Sequence, residues 1–139
     1  MDKRQAVIDE AHRWLGAQWC HAARVRYLAV DCGQLLLDVY VQAGLIEDVV
    51  VTGYPAQWAL HHDEERYLAV VERYARRIDC PLPGDIVVFK RGRTFSHGGI
   101  VVDWPVIIHA DRGENVVLAD ASVGTLAARD KLFYSVFEG

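Results

Sequence analysis

The spacing of apolar residues predicts two amphipathic helices in the first third of the chain. Over residues 5–15 the apolar side chains recur at the three- and four-residue intervals of one helix face, and Gly16 is a suitable end for this helix. A second stripe of the same kind runs from Cys32 to Gly44. Asp31 directly precedes it, and we expect Asp31 to cap this helix because its side chain can accept hydrogen bonds from the free N–H groups of a first turn.

The segment between these helices, residues 17–30, has no steady period and predicts a loop. It holds many side chains that can take part in binding or catalysis, namely Trp19, Cys20, His21, Arg24, Arg26 and Tyr27. Loops that carry such residues often contribute to a functional site.

A third apolar periodicity predicts a long helix over residues 60–78, after a break at Tyr54-Pro55. From Cys80 onward the pattern changes to short apolar runs separated by turn residues, which is typical of antiparallel strands. We place these strands near residues 86–89, 99–103, 106–109, 115–119 and 132–137. The first of them is apolar on both faces, so we expect it to lie in the middle of a sheet.

Helices followed by hairpins predict an α+β fold in which N-terminal helices pack on a C-terminal antiparallel, meandering sheet. The length of 139 residues and the lack of repeats or linkers predict a single domain over residues 1–139. The chain has 15 Lys and Arg against 19 Asp and Glu, a net charge of −4, which argues against a nucleic-acid partner.

The N-terminus lacks the apolar core of about 7–15 residues that a secretory signal requires. Its apolar runs are also far shorter than the roughly 20 residues that span a bilayer. We therefore expect a protein without a membrane span that is made in the cytoplasm without a visible signal peptide.

One cysteine and two histidines form a candidate catalytic group. Cys32 is predicted at the first turn of a helix, where the helix dipole favours a thiolate, so we expect a lowered pKa. His97 and His109 lie twelve residues apart across a hairpin predicted to turn near residues 103–105. Because residues equidistant from a tight turn face each other, we expect the two rings to be close neighbours. One histidine would then exchange protons with the thiol, and the second histidine would orient the first.

The other two cysteines, Cys20 and Cys80, show neither CxxC spacing nor a histidine pattern typical of zinc ligands. We interpret them as structural residues and predict no disulfide framework and no metal site.

Four segments occur in the order and spacing of the NlpC/P60 cysteine peptidases, and the chain resembles that family over about residues 5–137. They are residues 31–36 (DCGQLL), 83–89 (PGDIVVF), 96–101 (SHGGIV) and 108–110 (IHA). The resemblance implies a papain-like α+β fold and hydrolysis of a peptide bond in the stem peptides of bacterial peptidoglycan. It implies no metal and no other cofactor.

Position by position, the resemblance makes Cys32 the nucleophile, His97 the general base and acid, and His109 the residue that orients His97. Attack would form an acyl-enzyme, with the backbone N–H of Cys32 as the first donor to the oxyanion. Asp31 and Ser96 are candidate contacts for a free amine of the stem peptide. For Asp31, helix capping is an equally good explanation, and both roles can coexist.

The chain departs from the family where many members have a Tyr whose hydroxyl lies beside the cysteine. The sequence at this place is Gln18-Trp19-Cys20-His21, so we expect no phenol near Cys32. Trp19 can offer only an indole N–H donor, and His21 is a further candidate for substrate binding. A tail or assembly protein with a weakened site is therefore an alternative, as is a Cys-His acyltransferase or thioesterase on the same scaffold.

Residues 11–19 and the insertion that contains Tyr54-Pro55 look most like the small phage-type branch of the family. That likeness implies partners in a phage tail or gene-transfer particle and incorporation into such a particle. With one predicted domain, we expect the protein to depend on such a partner for targeting to the cell wall.

Overall fold

The computed structural model describes residues 2–48 and 65–138. Within these residues the helices are α1 (Lys3–Arg13), α2 (Cys32–Gln42), α3 (Arg66–Tyr74) and α4 (Gly124–Ala128). The strands are β1 (Gln18–Trp19), β2 (Arg24–Val25), β3 (Ala29–Val30), β4 (Arg76–Ile78), β5 (Ile86–Arg91), β6 (Thr94–Asp103), β7 (Val106–Ala110), β8 (Val116–Asp120) and β9 (Lys131–Ser135). No helix in these two ranges has the length and apolar character needed to cross a membrane.

The first two helices form where the apolar pattern predicts them. Asp2 caps α1 by accepting the Arg4 N–H at 2.9 Å. Asp31 caps α2 by accepting the Gln34 N–H at 2.8 Å, which confirms its predicted capping role. The apolar stripes of both helices are buried, and Trp14 at the end of α1 has no exposed surface.

The main sheet has six strands in the order β4-β9-β5-β6-β7-β8, and every pair in it is antiparallel. Strands β5 to β8 form the predicted meander, and β9 returns to the free side of β5. The position of β5 between β6 and β9 confirms the prediction of a central strand. Its side chains from Ile86 to Phe89 are at most 4% exposed.

Apolar clusters cover both faces of this sheet. On one face Val39 of α2 and Val71 of α3 pack with Ile100 and Ile108 of the sheet. On the other face the short α4 contributes Leu126 to a smaller cluster. The helices that pack against the sheet therefore lie mainly, but not wholly, on one side of it.

The predicted long helix over residues 60–78 is wrong in its last part. The helix α3 ends at Tyr74, and residues 76–78 form the edge strand β4, which pairs with β9. The apolar spacing alone does not distinguish a helix from a strand over residues 76–78, because Ile78 fits both a helical face and an edge strand. Tyr54-Pro55 and residues 60–64 of the prediction lie outside the described residues.

The predicted loop over residues 17–30 contains a small sheet in the order β1-β3-β2. Parallel pairing of β1 with β3 sets Trp19 beside Val30, one residue before Asp31. Asp31 Oδ2 also accepts the Ala22 N–H at 2.8 Å, and Arg24 pairs with Asp38 of α2 at 3.5 Å. The loop is therefore fastened to the N-terminus and to the middle of α2.

Asp85 ties α1 to the start of the sheet. Its Oδ2 accepts the Leu82 N–H at 2.8 Å and its Oδ1 lies 3.0 Å from Arg4 Nη1. The side chain of Asp85 is 1% exposed, whereas that of Arg4 is 23% exposed. An aspartate that fixes a turn and pairs with a cation at this place keeps α1 against β5.

Replacing Asp85 by Asn should lower the free energy of unfolding by about 1–3 kcal/mol, because a buried charge-assisted hydrogen bond is lost. Urea unfolding followed by circular dichroism measures this change. Asp103→Asn, at an exposed position, is the matched control and should change stability by less than about 0.5 kcal/mol. Equal stability of the Asp85 variant and the wild type would contradict the structural role of Asp85.

Candidate active site

His97 and His109 meet as predicted, although through a different strand register. His97 Nε2 lies 2.7 Å from His109 Nδ1, which is hydrogen-bond distance. The expected equidistant pairing is wrong, because the hairpin pairs Ile100 with Ile108 and so sets His109 beside Gly99. The two rings therefore meet diagonally across the strands, with their centroids 5.0 Å apart.

The lack of a side chain at Gly99 makes this diagonal contact possible. A methyl group there would lie 3.2 Å from His109 Cβ and 3.1 Å from the Ile108 carbonyl oxygen, which is closer than ordinary packing allows. Glycine lets the backbone and side chains of β7 approach β6 at this point. The ring of His109 consequently reaches His97.

Cys32 begins α2 next to the same segment of β6. Its Sγ lies 3.9 Å from the Ser96 carbonyl oxygen, a long contact for a thiol donor, and the Gly98 N–H acts to lower the pKa of the thiol. In the described residues no hydrogen bond joins Cys32 to either histidine. The thiol and the histidine pair thus adjoin one segment of β6 without a direct hydrogen bond between them.

The ionisation of Cys32 differs from the expectation. Burial raises the pKa of Cys32 to about 12, and the negative charge of Asp31 adds to the rise. Three groups lower the pKa, but their effects are smaller than that of burial. They are the Gly98 N–H, the Tyr67 hydroxyl and the Arg91 charge. The expected lowering is wrong because it considered the helix end and not the burial that follows from packing on β6. The resting thiol is therefore protonated at neutral pH.

The two histidines are neutral as well. Burial lowers the pKa of His97 well below 6.5, and the positive charge of Arg91 lowers it further. Burial also lowers the pKa of His109, against the raising effect of Asp111. A neutral imidazole can accept a proton, so His97 is in the protonation state that a general base needs.

Arg91 is a site residue that the sequence analysis missed. Its Nη2 lies 2.5 Å from Asp111 Oδ1, and its charge lowers the pKa of Cys32, His97 and His109. No sequence motif indicates this role, because Arg91 and its partner are 20 residues apart and meet only through the fold of the sheet.

Tyr67 of α3 supplies a phenol near Cys32. Its side chain is buried, and its hydroxyl acts to lower the pKa of the Cys32 thiol. The expectation that no phenol lies there is wrong, because it considered only the segment that precedes Cys32. No local signal could have found Tyr67, which follows Cys32 by 35 residues on another helix.

The structure gives Asp31 a clear local role. Both of its carboxylate oxygens accept backbone N–H groups, from Gln34 and from Ala22, each at 2.8 Å. Asp31 is 4% exposed and also lines an apolar cavity between α2 and α3. Its contact with a substrate amine stays a prediction.

The remaining candidates differ in their burial. Ser96 is buried, and its Oγ lies 3.5 Å from the Thr94 carbonyl oxygen. Trp19 is half-buried, with the Arg112 guanidinium 5.8 Å from its ring centroid. His21 is exposed in the turn after β1. Their roles in binding stay predictions.

The structure gives no packing role to the other two cysteines, because Cys20 and Cys80 are both exposed. Their exposure does not support the interpretation of Cys20 and Cys80 as structural residues. Across residues 2–48 and 65–138, no cluster of three His, Cys, Asp or Glu side chains is placed to hold a metal ion.

An open groove is lined by His109 of the histidine pair. Asp111, Leu118 of β8 and Leu126 of α4 also line it.

No protein-family model and no curated protein matches the chain. Solved structures do match. The NlpC/p60 domain of the peptidoglycan hydrolase SagA is 17% identical, with a TM-score of 0.61, and the match covers 95% of this chain and 97% of that one. A protein described as similar to lipoprotein, NLP/P60 family, from Staphylococcus aureus is 18% identical with a TM-score of 0.68, and the match covers 100% of this chain.

NlpC1 from Trichomonas vaginalis is 18% identical with a TM-score of 0.66, and the match covers 96% of this chain. The chain spans 43% of the length of this protein and 43% of the Staphylococcus aureus protein. These likenesses show that the chain has the α+β fold of NlpC/P60 domains, which is the predicted fold class.

The neutral histidine pair should make folding sensitive to acid. The folded-state pKa values of His97 and His109 lie below the ordinary value of 6.5, so the unfolded chain takes up protons first as the pH falls. The contribution of this pair to the free energy of unfolding should be full above pH 6.5. It should decline below pH 6.5 by up to about 1.4 kcal/mol per pH unit for each histidine. Urea unfolding between pH 8 and pH 5 measures the decline.

His97→Asn should show a smaller decline over this pH range, because one of the two groups is gone. His12→Gln removes an exposed histidine and should keep the wild-type decline. A wild-type stability that stays constant from pH 7.5 to pH 5 would contradict the neutral state of the pair.

Proposed function

We propose that the chain is a cysteine hydrolase of the NlpC/P60 type that cleaves a peptide bond in the stem peptides of bacterial peptidoglycan. The hydrogen bond of 2.7 Å between His97 and His109 carries this proposal, since it joins two buried neutral imidazoles beside the strand segment that Cys32 contacts. The fold supports it, because a similar fold is found in a domain of the peptidoglycan hydrolase SagA.

In the proposed reaction the Cys32 sulfur attacks the carbonyl carbon of the scissile amide while His97 takes the thiol proton. The tetrahedral intermediate collapses, the C–N bond breaks, and the leaving amine receives the proton from His97. A thioester then links the acyl half of the substrate to Cys32. Water attacks this thioester, again with proton transfer through His97, and releases a carboxylic acid and the free thiol.

The hydrogen bond to His109 uses Nε2 of His97 and leaves Nδ1 for the proton of the thiol. The resting sulfur contacts the Ser96 carbonyl instead. The proposal therefore includes a small movement of the sulfur from this carbonyl toward His97 Nδ1 when substrate binds. A neutral thiol and a neutral imidazole at rest fit a mechanism in which proton transfer accompanies attack.

For substrate recognition we propose the predicted contacts with Asp31, Ser96, Trp19 and His21. An ionised carboxylate has about four acceptor sites, so Asp31 can bind a substrate amine while it caps α2. The pairing of β1 with β3 sets Trp19 beside Val30, the residue before Asp31. Partners in a phage tail or gene-transfer particle, and incorporation into such a particle, stay predictions from the sequence resemblance.

The alternative of a tail or assembly protein with a weakened site has one observation in its favour. Burial raises the pKa of Cys32 to about 12, and the thiol is not hydrogen-bonded to a histidine in the described residues. An acyltransferase or thioesterase on the same fold also stays an alternative, and the reaction products separate it from a peptidase.

Purified peptidoglycan from several bacteria should release peptides with new amino termini at one stem-peptide bond when it is incubated with the protein. Mass spectrometry of the released fragments identifies the bond. Cys32→Ala should release nothing above background, whereas Cys80→Ser, at an exposed cysteine, should cleave like the wild type. No release from any wall preparation would favour the structural alternative, and transfer of an acyl group to an added amine would favour an acyltransferase.

The two histidines should differ in their effect on the rate. His97→Ala should reduce the cleavage rate by about 10²–10⁴-fold, because it removes the group that carries the proton. His109→Asn should retain part of the activity, since an amide oxygen can still accept a hydrogen bond from the His97 ring. Rates measured on the same wall preparation test this order, and a complete loss in both variants would show that His109 does more than orient His97.

A further inference from the structure

Tyr67 is held by its surroundings directly over the N-terminus of α2. Its ring lies against Gly33, the residue after Cys32, where a methyl group would be 3.4 Å from Tyr67 Cε2. Its hydroxyl lies over Gly98 of β6 so closely that a methyl group there would collide with it. Gly33 and Gly98 thus leave the space that this phenol occupies.

Contacts at both ends of α3 fix the position of Tyr67. Glu65, before the helix, accepts the Phe95 N–H of β6 at 3.0 Å. Glu72, near the end of the helix, accepts the Tyr134 hydroxyl of β9 at 2.8 Å. With α3 bound to two strands, the Tyr67 side chain is only 5% exposed. The position of the Tyr67 side chain is therefore set by the fold.

The sulfur has few other groups that can stabilise a negative charge. Burial and the nearby Asp31 carboxylate both disfavour the thiolate and raise its pKa, while the Gly98 N–H and the Tyr67 hydroxyl both favour it and lower the pKa. A hydrogen bond to an ionised acceptor is stronger than one between neutral groups, and it gains further in a water-poor site.

We propose that the Tyr67 hydroxyl donates a hydrogen bond to the Cys32 sulfur and stabilises the charge that this sulfur gains as it loses its proton, so that α3 supplies a further catalytic residue. This inference rests on the proposed function for its role in turnover. The hydrogen bond itself acts on the thiol whether or not a substrate is present. Tyr67 thereby offsets part of the cost of burying the nucleophile.

The rate of Cys32 alkylation by iodoacetamide tests the inference without a substrate. The full chain with Cys20→Ser and Cys80→Ser is the parent, since both of these cysteines are exposed. Tyr67→Phe keeps the ring and removes only the hydroxyl. It should slow alkylation about tenfold between pH 7 and pH 9, because a smaller fraction of the thiol is ionised.

Tyr40→Phe is the matched control, because it also removes one hydroxyl from a buried tyrosine, and this hydroxyl donates to the Gly84 carbonyl oxygen at 2.6 Å and contacts neither α3 nor Cys32. It should be alkylated at the parent rate. If Tyr67 only covers the thiol, Tyr67→Phe will react at the parent rate or faster, and the inference is then overturned.

A second variant covers the case in which Tyr67→Phe does not fold. Site-specific 3-fluorotyrosine at position 67 keeps the shape and the hydroxyl but makes it a stronger donor, so alkylation at pH 7 should be about twofold faster than in the parent. An unchanged or lower rate in this variant would overturn the inference.

Failure of this inference differs from failure of the proposed function. If Tyr67→Phe is alkylated as fast as the parent while Cys32-dependent wall cleavage persists, only the role of Tyr67 is lost. If wall cleavage survives Cys32→Ala, the proposed function is lost, and a tenfold effect of Tyr67→Phe on alkylation still supports the hydrogen bond.

Discussion

The two consecutive glycines of β6, Gly98 and Gly99, are the constraint on which the candidate site depends. A side chain at Gly98 would collide with Tyr67 and with Leu36 of α2, so glycine alone lets both helices approach the strand. A side chain at Gly99 would crowd His109 on the neighbouring strand. Because successive residues of a strand face opposite sides, one dipeptide allows close packing on both faces of the sheet. The Cys32 thiol and the histidine pair both adjoin this segment of β6 without a hydrogen bond between them.

Close packing also sets the electrostatics of the site. The same contacts that bring Cys32 to β6 also partly bury it, and this burial outweighs the groups that favour the thiolate. Burial likewise keeps His97 neutral. The resting site therefore holds a protonated thiol and a base that is ready to accept its proton. In such a site the donors near the sulfur, which are Tyr67 and the Gly98 N–H, gain importance because little water is present to replace them.

Much of the fold could be predicted from the sequence because its signals are local. Asp31 before an apolar stripe specifies a capped helix, and the apolar run from Ile86 to Phe89 specifies a central strand. The closeness of His97 and His109 also followed from their distance to the turn. The strand register through which they meet could not be predicted in this way. Properties that arise only on packing could not be predicted: the pKa of Cys32 depends on burial, and the contact of Tyr67 with the thiol joins two helices. Residues 76–78 form a strand only because β9 is there to pair with them.

The central claim is that Cys32 is a nucleophile served by His97, and an electrophilic substrate analogue tests it most directly. A stem peptide with an aldehyde in place of the scissile amide should form a hemithioacetal at Cys32, detected by nuclear magnetic resonance with a ¹³C-labelled aldehyde carbon. We expect this adduct at Cys32 in preference to the exposed Cys20 and Cys80. The aldehyde peptide should bind the His97→Ala variant much more weakly than the wild type. An adduct at an exposed cysteine, or equal binding to Cys32 without His97, would contradict the central claim.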